Sequence, residues 1–370
     1  MILLNDFRRQ WEDVRTDILR TTEEVGSSGW YILGERVRQF EASLAGYWSV
    51  NHVVGVASGL DAIEISLRIL GCKTGDRVLT SPISAFATIM AILRIGATPV
   101  LVDCDTFGLI DLDACRAFLQ QSTGVRFFVP VHLYGYAIDG NALRSLRDEF
   151  GLFIVEDCAQ SVGAKFLGEK TGRVGQLSAT SFYPTKNLGG LGDGGAILTD
   201  SPDAAAKGRM LRDYGQERKY HHSVLGYNSR LDELQAAYLD AAFLPRLDAW
   251  TGRRRQVANR YCREIENPLI HCNGSPPGSD SSWHLFPVVV DPGLKESFID
   301  HLRRMGVQSG EHYPLALVEQ QALSGSVVDV ASDCEKAIRF CRSEVSLPVH
   351  PYLTDDEVTT VVQACNEWRV

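Results

Sequence analysis

The chain has 370 residues, with an apolar fraction of 45% and a charged fraction of 22%, which are ordinary values for a soluble globular protein. Such a length suits one large domain with a smaller one, or two domains of similar size. The formal net charge of −9 argues against nucleic acid as a partner, although a local basic pocket could still bind an anionic substrate.

The cysteine pattern and the apolar runs indicate the compartment. The nine cysteines are odd in number and form no CxxC pair, so we interpret them as reduced thiols rather than a disulfide framework. The N-terminal stretch lacks an apolar core of signal-peptide length, and no apolar run approaches about 18 residues. No HExxH or other metal-ligand spacing occurs. The sequence therefore predicts a cytoplasmic protein without a membrane span or a metal.

Between residues 50 and 200, short apolar runs alternate with helical patterns. The apolar runs, such as VVGVA and FFVPV, are nearly continuous, as expected for strands buried on both faces. Alternating β and α units predict a mostly parallel central sheet sandwiched by helices, an α/β fold. The predicted strands are 52–57, 77–81, 98–103, 126–132, 152–156, 177–182 and 196–199, and the helices between the first five lie near 60–70, 84–95, 111–121 and 140–150.

The pattern changes after residue 230. Two long helices are predicted over 230–247 and 248–265, with a break near Pro245, and a polar loop follows over 272–282. The remaining predicted elements are a strand over 283–290, a helix over 294–305, a strand and turn over 307–314 and a last helix over 355–368. We predict a large domain over 1–245 and a smaller C-terminal α/β domain over 246–370.

The stretch with the most chemical content is 178–196, SATSFYPTKNLGGLGDGGA. Lys186 lies there between two predicted strands, and the glycines after it let the backbone approach a ligand closely. A lysine forms a Schiff base where burial or a nearby cation lowers its pKa. An arbitrary lysine in such a loop is far more often a surface residue, so this interpretation depends on the neighbouring motifs.

The same stretch has the GxGxxG spacing of dinucleotide-binding loops, at Gly190, Gly192 and Gly195. That fingerprint requires a strand before the glycines and a helix after them. Here the following residues, AILTD, have the pattern of a strand. We therefore reject a dinucleotide site.

Two further motifs follow predicted strands. In LFIVEDCAQ a buried strand ends at Glu156 and Asp157, at the edge where α/β sheets bind ligands, although a strand-end turn is a common place for an aspartate. In ASGLDA a helix begins directly after a strand. Ser58 is a candidate N-cap, and the free amides near Gly59 form a potential anion site. Taken alone, this motif is explained equally well by a helix that is simply well capped.

Together these motifs resemble the fold-type I enzymes that use pyridoxal phosphate (PLP), and in particular the DegT–DnrJ–StrS family of sugar aminotransferases. The resemblance covers nearly the whole chain. The segments that carry it, in order, are SSGWYILGERVRQFEASLAGYW, VHLYG, VEDCAQ, SFYPTKNLGGLGDGGA, GYNSRLDELQAA, WHLFPV, HYP and SLPVHP. The order of so many matches is far more specific than any one motif.

The resemblance implies a set of cofactor contacts. Lys186 would form the Schiff base with PLP and move the proton during catalysis. Asp157 would pair with the pyridine nitrogen, and Gln160 would bind the side of the ring that carries the hydroxyl. The phosphate would be held by Ser58, Gly59 and Ser181, with Asn228 reaching it from the partner subunit of a homodimer.

The resemblance also implies substrate-side residues and a reaction. Arg230 would lie near the subunit interface, and the residues on the substrate side would be Tyr183, Lys219, His312 and Tyr313. The reaction would be a ping-pong transfer of an amino group from an amino acid, L-glutamate in this interpretation, to a nucleotide-activated keto-deoxysugar. The amino group would be carried by pyridoxamine phosphate.

Two departures from the family pattern bear on these expectations. Where the family has an aromatic residue stacking on the ring, this chain has Ala85, with Phe86 one position later, so Phe86 is the candidate for stacking. The sequence SGLDA replaces the common SGT and is similar to the subgroup that aminates the 3-keto position of nucleotide-linked deoxysugars, such as dTDP-3-keto-6-deoxyhexoses.

Other functions remain open at this level. The same chemistry on a 4-keto nucleotide sugar or a keto-cyclitol is the main alternative, and a non-enzymatic sensor on this fold is a more remote one. A PLP-dependent dehydratase is disfavoured because the relatives of that kind replace the lysine that Lys186 represents. The sequence does not identify the sugar, the nucleotide or the pathway.

Overall fold

The computed structural model describes residues 1–331 and 333–370. The α-helices in these ranges are α1 (Phe7–Ser28), α2 (Glu35–Trp48), α3 (Gly59–Ile69), α4 (Phe86–Ile95), α5 (Leu112–Gln121), α6 (Gly140–Phe150), α7 (Pro202–Arg212), α8 (Glu233–Tyr238), α9 (Leu247–Glu264), α10 (Lys295–Arg304), α11 (Glu335–Ser343) and α12 (Asp355–Glu367). The strands are β1 (His52–Val56), β2 (Arg77–Thr80), β3 (Thr98–Leu101), β4 (Val125–Val129), β5 (Phe153–Asp157), β6 (Lys165–Phe166), β7 (Glu169–Lys170), β8 (Leu177–Ser181), β9 (Gly195–Thr199), β10 (Gln216–Arg218), β11 (His221–His222), β12 (Ser279–Asp280), β13 (Phe286–Val289), β14 (Asp329–Val330) and β15 (Glu344–Leu347).

The predicted α/β fold is confirmed. The described residues form an eight-stranded sheet in the order β1-β9-β8-β5-β4-β2-β3-β14. The neighbours from β8 to β14 pair in parallel, whereas β9 runs antiparallel to both β1 and β8. Every predicted strand and helix between residues 50 and 200 is present within a few residues of its predicted bounds.

The strands are apolar on both faces because helices cover both sides of the sheet. In β1, Val53 packs into a core with Phe40 of α2, whereas Val54 packs on the opposite side with Ile63 of α3. The alternation continues in β9, where Leu198 packs into the first core and Ile197 packs into the second. The result is a three-layer arrangement of helices, sheet and helices.

The helical path from α8 to α9 departs from α geometry around Pro245. A π-helical turn over Leu239–Phe243 and a 3-10 turn over Leu244–Arg246 connect the two helices. Proline lacks a backbone N–H and crowds the preceding turn, so the ordinary hydrogen-bond ladder cannot pass through it. The predicted break is therefore a change of helix type rather than a loop.

Several elements near the C-terminus differ from the prediction. No strand forms over 307–314 among the described residues; Val307 makes an isolated bridge with Ile2. Around this bridge the Ile2 amide donates to the Gly306 carbonyl at 2.7 Å and the Gln308 amide donates to the Ile2 carbonyl at 2.9 Å, whereas Gly310 bridges to Ser346. The short strands β6, β7, β10, β11, β12 and β14 escaped prediction because two or three residues are too few to establish a period.

The eight cysteines other than Cys334 are free thiols. Over the described residues, no helix combines the length and the apolar character needed to cross a bilayer. The division at residues 245 and 246 stays a prediction. β14 lies beyond that point in sequence and yet pairs with β3 of the large sheet.

Candidate active site

A cavity of about 450 Å³ lies where the parallel strands end. β5 contributes Asp157 and β8 contributes Ser181, and the loop after β8 contributes Lys186. This is the edge at which open α/β sheets bind ligands, because the crossover loops diverge there. The lining also includes Leu4, Asn5, Ser58, Gly59, Leu60, Ile63, Ala85, Ala87, Thr88, Ala159, Tyr183, Thr185, Asp193, His284, Leu285, His312 and Tyr313.

Lys186 lies in a loop whose conformation is held by hydrogen bonds between its own backbone groups. Its amide donates to the Tyr183 carbonyl at 2.8 Å, and the Gly190 amide donates to the Phe182 carbonyl at 2.8 Å. Burial lowers the pKa of Lys186 to about 8, and the carboxyl of Asp157 opposes that shift. Among the described residues, no carboxylate forms an ion pair with Lys186. Its amine is therefore available to react near neutral pH.

Asp157 is a buried carboxyl at the end of β5. Its Oδ2 accepts a hydrogen bond from Thr88 Oγ1 at 2.8 Å, and its Oδ1 accepts from the Ala159 amide at 3.1 Å. Burial raises the pKa of Asp157 above its ordinary value, against the lowering effect of these two hydrogen bonds. A cation placed in the cavity beside Asp157 would favour its ionised form.

The phosphate candidates form a tight cradle at the start of α3. Ser58 is the N-cap, and its hydroxyl accepts from the Asp61 amide at 3.1 Å, as the capping motif predicts. A Cβ on Gly59 would lie 2.7 Å from Cβ of Ser181, and a Cβ on Gly195 would lie 2.4 Å from the carbonyl carbon of Ser58. Only glycine fits at these two positions, so β8 and β9 can approach the free amides of the helix N-terminus.

A second wall of the cavity comes from the C-terminal part of the chain. The Gln160 amide nitrogen donates to the Tyr313 hydroxyl at 3.1 Å, and Gln160 Oε1 accepts from the Tyr134 amide at 2.8 Å. Tyr313 and His312 line the cavity, whereas Gln160 lies behind them. Burial lowers the pKa of His312 to about 4, and the charge of Lys186 adds to that effect.

The other predicted residues lie apart from this cavity. Lys219 and Arg230 line a more open cavity of about 840 Å³, together with Trp30 and Tyr220. Asn228 is exposed on the same part of the surface, where it bridges to Asp213. None of these three residues lines the cavity around Lys186.

Phe86 does not line the cavity. Ala85 and Ala87 face it instead, and the Phe86 side chain packs against the core cluster that includes Ile83 and Ile89. The direction of the first turn of α4 decides this, because successive helical side chains point about 100° apart. Whether Phe86 stacks on a bound ring therefore stays a prediction.

The sequence analysis missed several residues of the lining, of which Thr88 and His284 bear most directly on the chemistry. Thr88 lies one turn into α4, so its hydroxyl reaches Asp157; a polar residue inside the apolar run AFATIMAI was the available signal. His284 is buried, lines the cavity and leaves its Nδ1 without a hydrogen-bond partner among the described residues. An orphaned buried nitrogen of this kind indicates a missing ligand or water.

Comparison with known proteins gives a consistent picture. The sequence model of the DegT/DnrJ/EryC1/StrS aminotransferase family matches residues 12–366. The chain is 39% identical over 366 residues, covering 98% of it and 95% of the relative, to dTDP-3-amino-3,4,6-trideoxy-alpha-D-glucose transaminase of Streptomyces venezuelae. It is 37% identical over 366 residues, covering 98% of it and 97% of the relative, to a protein of Geobacillus stearothermophilus named pleiotropic regulatory protein.

Among solved structures, the crystal structure of DesV from S. venezuelae superposes with a TM-score of 0.94. The two chains are 38% identical, and the alignment covers 100% of this chain and 99% of DesV. The whole of the described fold, including the helices before β1 and the C-terminal elements, therefore has a counterpart in a known structure.

Proposed function

Since the chain belongs to the DegT/DnrJ/EryC1/StrS aminotransferase family, we propose that it transfers an amino group from L-glutamate to a nucleotide-activated keto-deoxysugar. The proposed acceptor is a dTDP-3-keto-6-deoxyhexose. The observation that carries the proposal is Lys186, a buried amine of lowered pKa in a cavity that also holds Asp157 and a helix N-terminus. The name of the S. venezuelae relative supports amination at ring position 3 and dTDP as the nucleotide of the acceptor.

The residues of the cavity fit PLP, the cofactor of the family. Lys186 would bind the aldehyde carbon, and Asp157 would pair with the pyridine nitrogen. Ser58, Gly59 and Ser181 surround the start of α3, where the free amides can bind a phosphate without a Cβ in the way. When bound, PLP supplies the electron sink for the reaction.

In the proposed mechanism, Nζ of Lys186 removes the proton from the α-carbon of the amino-acid donor and returns a proton to the sugar carbon in the second half-reaction. A pKa near 8 suits this exchange, because general acid–base catalysis is most effective when the pKa lies close to the working pH. Asp157, oriented by Thr88, would pair with the pyridine nitrogen and favour its protonated form. Donor and acceptor use the same cavity in turn, so the kinetics are ping-pong.

The proposal includes a homodimer with shared active sites, located in the cytoplasm. Its support is the surface around Lys219, Arg230 and Asn228, which is rich in exposed apolar groups. Trp30 is 63% exposed and Leu225 is 98% exposed, values that are unusual for large apolar side chains on a monomer. A second chain covering this surface would carry Asn228 to the phosphate of its partner.

The visible absorption spectrum of the purified protein, recorded before and after adding L-glutamate, tests this proposal. We expect an absorption band from the lysine-bound cofactor that glutamate bleaches in the wild type and not in Lys186→Ala. Amination of a dTDP-3-keto sugar in preference to a 4-keto sugar or a keto-cyclitol would support the acceptor assignment. A protein that neither carries nor takes up PLP would overturn the proposal and favour a sensor role.

A further inference from the structure

Behind the imidazole of His312 lies a buried carboxyl that no step above uses. Glu344 begins β15, and its side chain is fully buried. Its Oε2 accepts a hydrogen bond from the His312 amide at 2.7 Å, and its Oε1 accepts from the Ser346 hydroxyl. Ser346 Oγ in turn lies 2.9 Å from Nδ1 of His312. A continuous chain of hydrogen bonds, the relay, thus runs from Glu344 through Ser346 to His312, which lines the cavity.

The directions of these hydrogen bonds follow from the chemistry of the groups. An ionised carboxylate only accepts, so the Ser346 hydroxyl gives its one hydrogen to Glu344. The bond between Ser346 and His312 must then be donated by Nδ1–H. A neutral imidazole carries one hydrogen, so Nε2 is left as an acceptor. No described residue hydrogen-bonds Nε2, and the ring lines the cavity.

We propose that Glu344 is a positioning residue which, through Ser346, fixes the tautomer of His312 so that Nε2 accepts a hydrogen bond from a hydroxyl of the bound sugar. The identity of that donor rests on the proposed function, whereas the tautomer does not. A site built to accept from a hydroxyl rejects an analogue that lacks it, because the acceptor is then left unpaired.

Other charged groups around the relay are consistent with this arrangement. Lys295 donates to Glu311 at 2.6 Å and to the Cys341 carbonyl at 2.8 Å, and its charge favours the ionised form of Glu344. Burial nevertheless raises the pKa of Glu344 to about 7, and Glu311 adds to that effect. On the cavity side, Lys186 disfavours a positively charged His312. The buried hydroxyls of Tyr134 and Tyr313 are kept neutral by burial.

The substitution Glu344→Gln reverses the donor and acceptor roles along the relay without changing the shape of the side chain. The amide oxygen of glutamine would accept from the His312 backbone, and its NH₂ would donate to Ser346. The Ser346 hydroxyl would then donate to Nδ1, and the hydrogen of His312 would move to Nε2. Glu311→Gln is the matched control. It makes the same chemical change at the residue that precedes His312, whose carboxylate pairs with Lys295 and is not part of the relay.

The test is ¹⁵N NMR of the holoenzyme with labelled histidine at pH 8.5, where the two ring nitrogens of a neutral imidazole have distinct chemical shifts. His312→Asn identifies the signal. We expect the Nδ1–H tautomer in the wild type and in Glu311→Gln, the Nε2–H tautomer in Glu344→Gln, and a mixture in Ser346→Ala. An Nε2–H tautomer in the wild type, or no change in Glu344→Gln, would overturn the proposal.

A kinetic measurement tests the substrate part separately. We expect Glu344→Gln to raise KM for the keto sugar up to about tenfold, the loss of one hydrogen bond, while the half-reaction with glutamate stays near the wild-type rate. Equal effects on both half-reactions would show a merely structural role. If the tautomer changes as expected but no keto sugar is aminated, the relay stands and the proposed function fails.

Discussion

At the scale of single residues, two adjacent carboxyls in β5 show how environment assigns roles. Burial raises the pKa of Glu156, but hydrogen bonds from His132 and from the amides of Gly175 and Val174 outweigh it and hold the pKa below its ordinary value. Its oxygens accept from three amides of the loop after β7 and also bond to the imidazole of His132, so Glu156 is structural. Asp157 points the other way, into the cavity, with acceptor capacity to spare.

The pKa of Lys186 gives a prediction for cofactor uptake. A pKa of about 8 means that about a tenth of the amines are neutral at pH 7 and about half at pH 8. Because only the neutral amine is nucleophilic, we expect apoenzyme to incorporate PLP about fivefold faster at pH 8 than at pH 7. Stopped-flow absorbance measures this rate, with Nα-acetyl-lysine as the control for ionisation of PLP itself. A flat profile would contradict the assigned pKa.

The approach of β8 to α3 gives a second prediction. In Gly59→Ala the new Cβ would lie 2.7 Å from Cβ of Ser181, so the first turn of α3 must move away from the phosphate position. We expect the Kd for PLP, measured by fluorescence titration, to rise at least about tenfold, the equivalent of about 1.4 kcal/mol. Gly46→Ala, where the new methyl group meets no atom within 4 Å, is the matched control and should leave PLP affinity unchanged.

At the scale of elements, a single side chain joins α8 to the start of α2. Glu233 accepts hydrogen bonds from the amides of Gly34 at 2.8 Å, Arg36 at 2.9 Å and Val37 at 2.9 Å. Three amides at the start of α2 thus have a distant residue as their partner, and Gly34 itself has no side chain to act as a cap. The helix is therefore held by tertiary structure at the end where its own sequence lacks a capping signal.

This contact predicts a loss of stability. In Glu233→Ala three buried or half-buried amides would lose their charged acceptor, and we expect the free energy of unfolding to fall by about 3 kcal/mol. Thermal unfolding followed by circular dichroism measures the change as a lower Tm. Glu35→Ala, which removes an exposed carboxylate from the same helix, should change Tm little. Equal effects of the two substitutions would refute the role given to Glu233.

At the scale of the whole molecule, the open cavity around Lys219 and Arg230 is separate from the cavity around Lys186, and its lining includes the side chains of Trp30 and Tyr220. Tyr220 is 79% exposed and Leu225 is 98% exposed. This exposed apolar surface supports the proposed dimer.

The dimer gives a prediction at this scale. Leu225→Asp would place a charge in the proposed dimer interface, and we expect it to shift the protein from dimer to monomer in sedimentation velocity experiments. PLP affinity should fall in parallel, since Asn228 would no longer reach the partner's phosphate. Leu167→Asp, at an exposed leucine of the β6–β7 turn, is the control and should remain dimeric. A dimeric Leu225→Asp would place the interface elsewhere.

The sequence by itself determined the three-layer fold and the order of the elements. Apolar runs in strands such as β4 and β9 and the helical periods between them need no tertiary information, because burial on both faces requires an apolar residue at nearly every position. The sequence also singled out Lys186, Asp157 and Ser58, since the chemistry at strand ends and helix starts is local. The family match then identified the reaction class.

The tertiary structure decided which of these residues share one cavity. It separated Lys219, Arg230 and Asn228 from Lys186, since Lys219 and Arg230 line a different cavity and Asn228 is exposed on the surface. It turned Phe86 away from the cavity and Thr88 towards it, because a helix divides consecutive side chains among different faces. It also joined Glu344 to His312, a contact between residues 32 positions apart that no local pattern records.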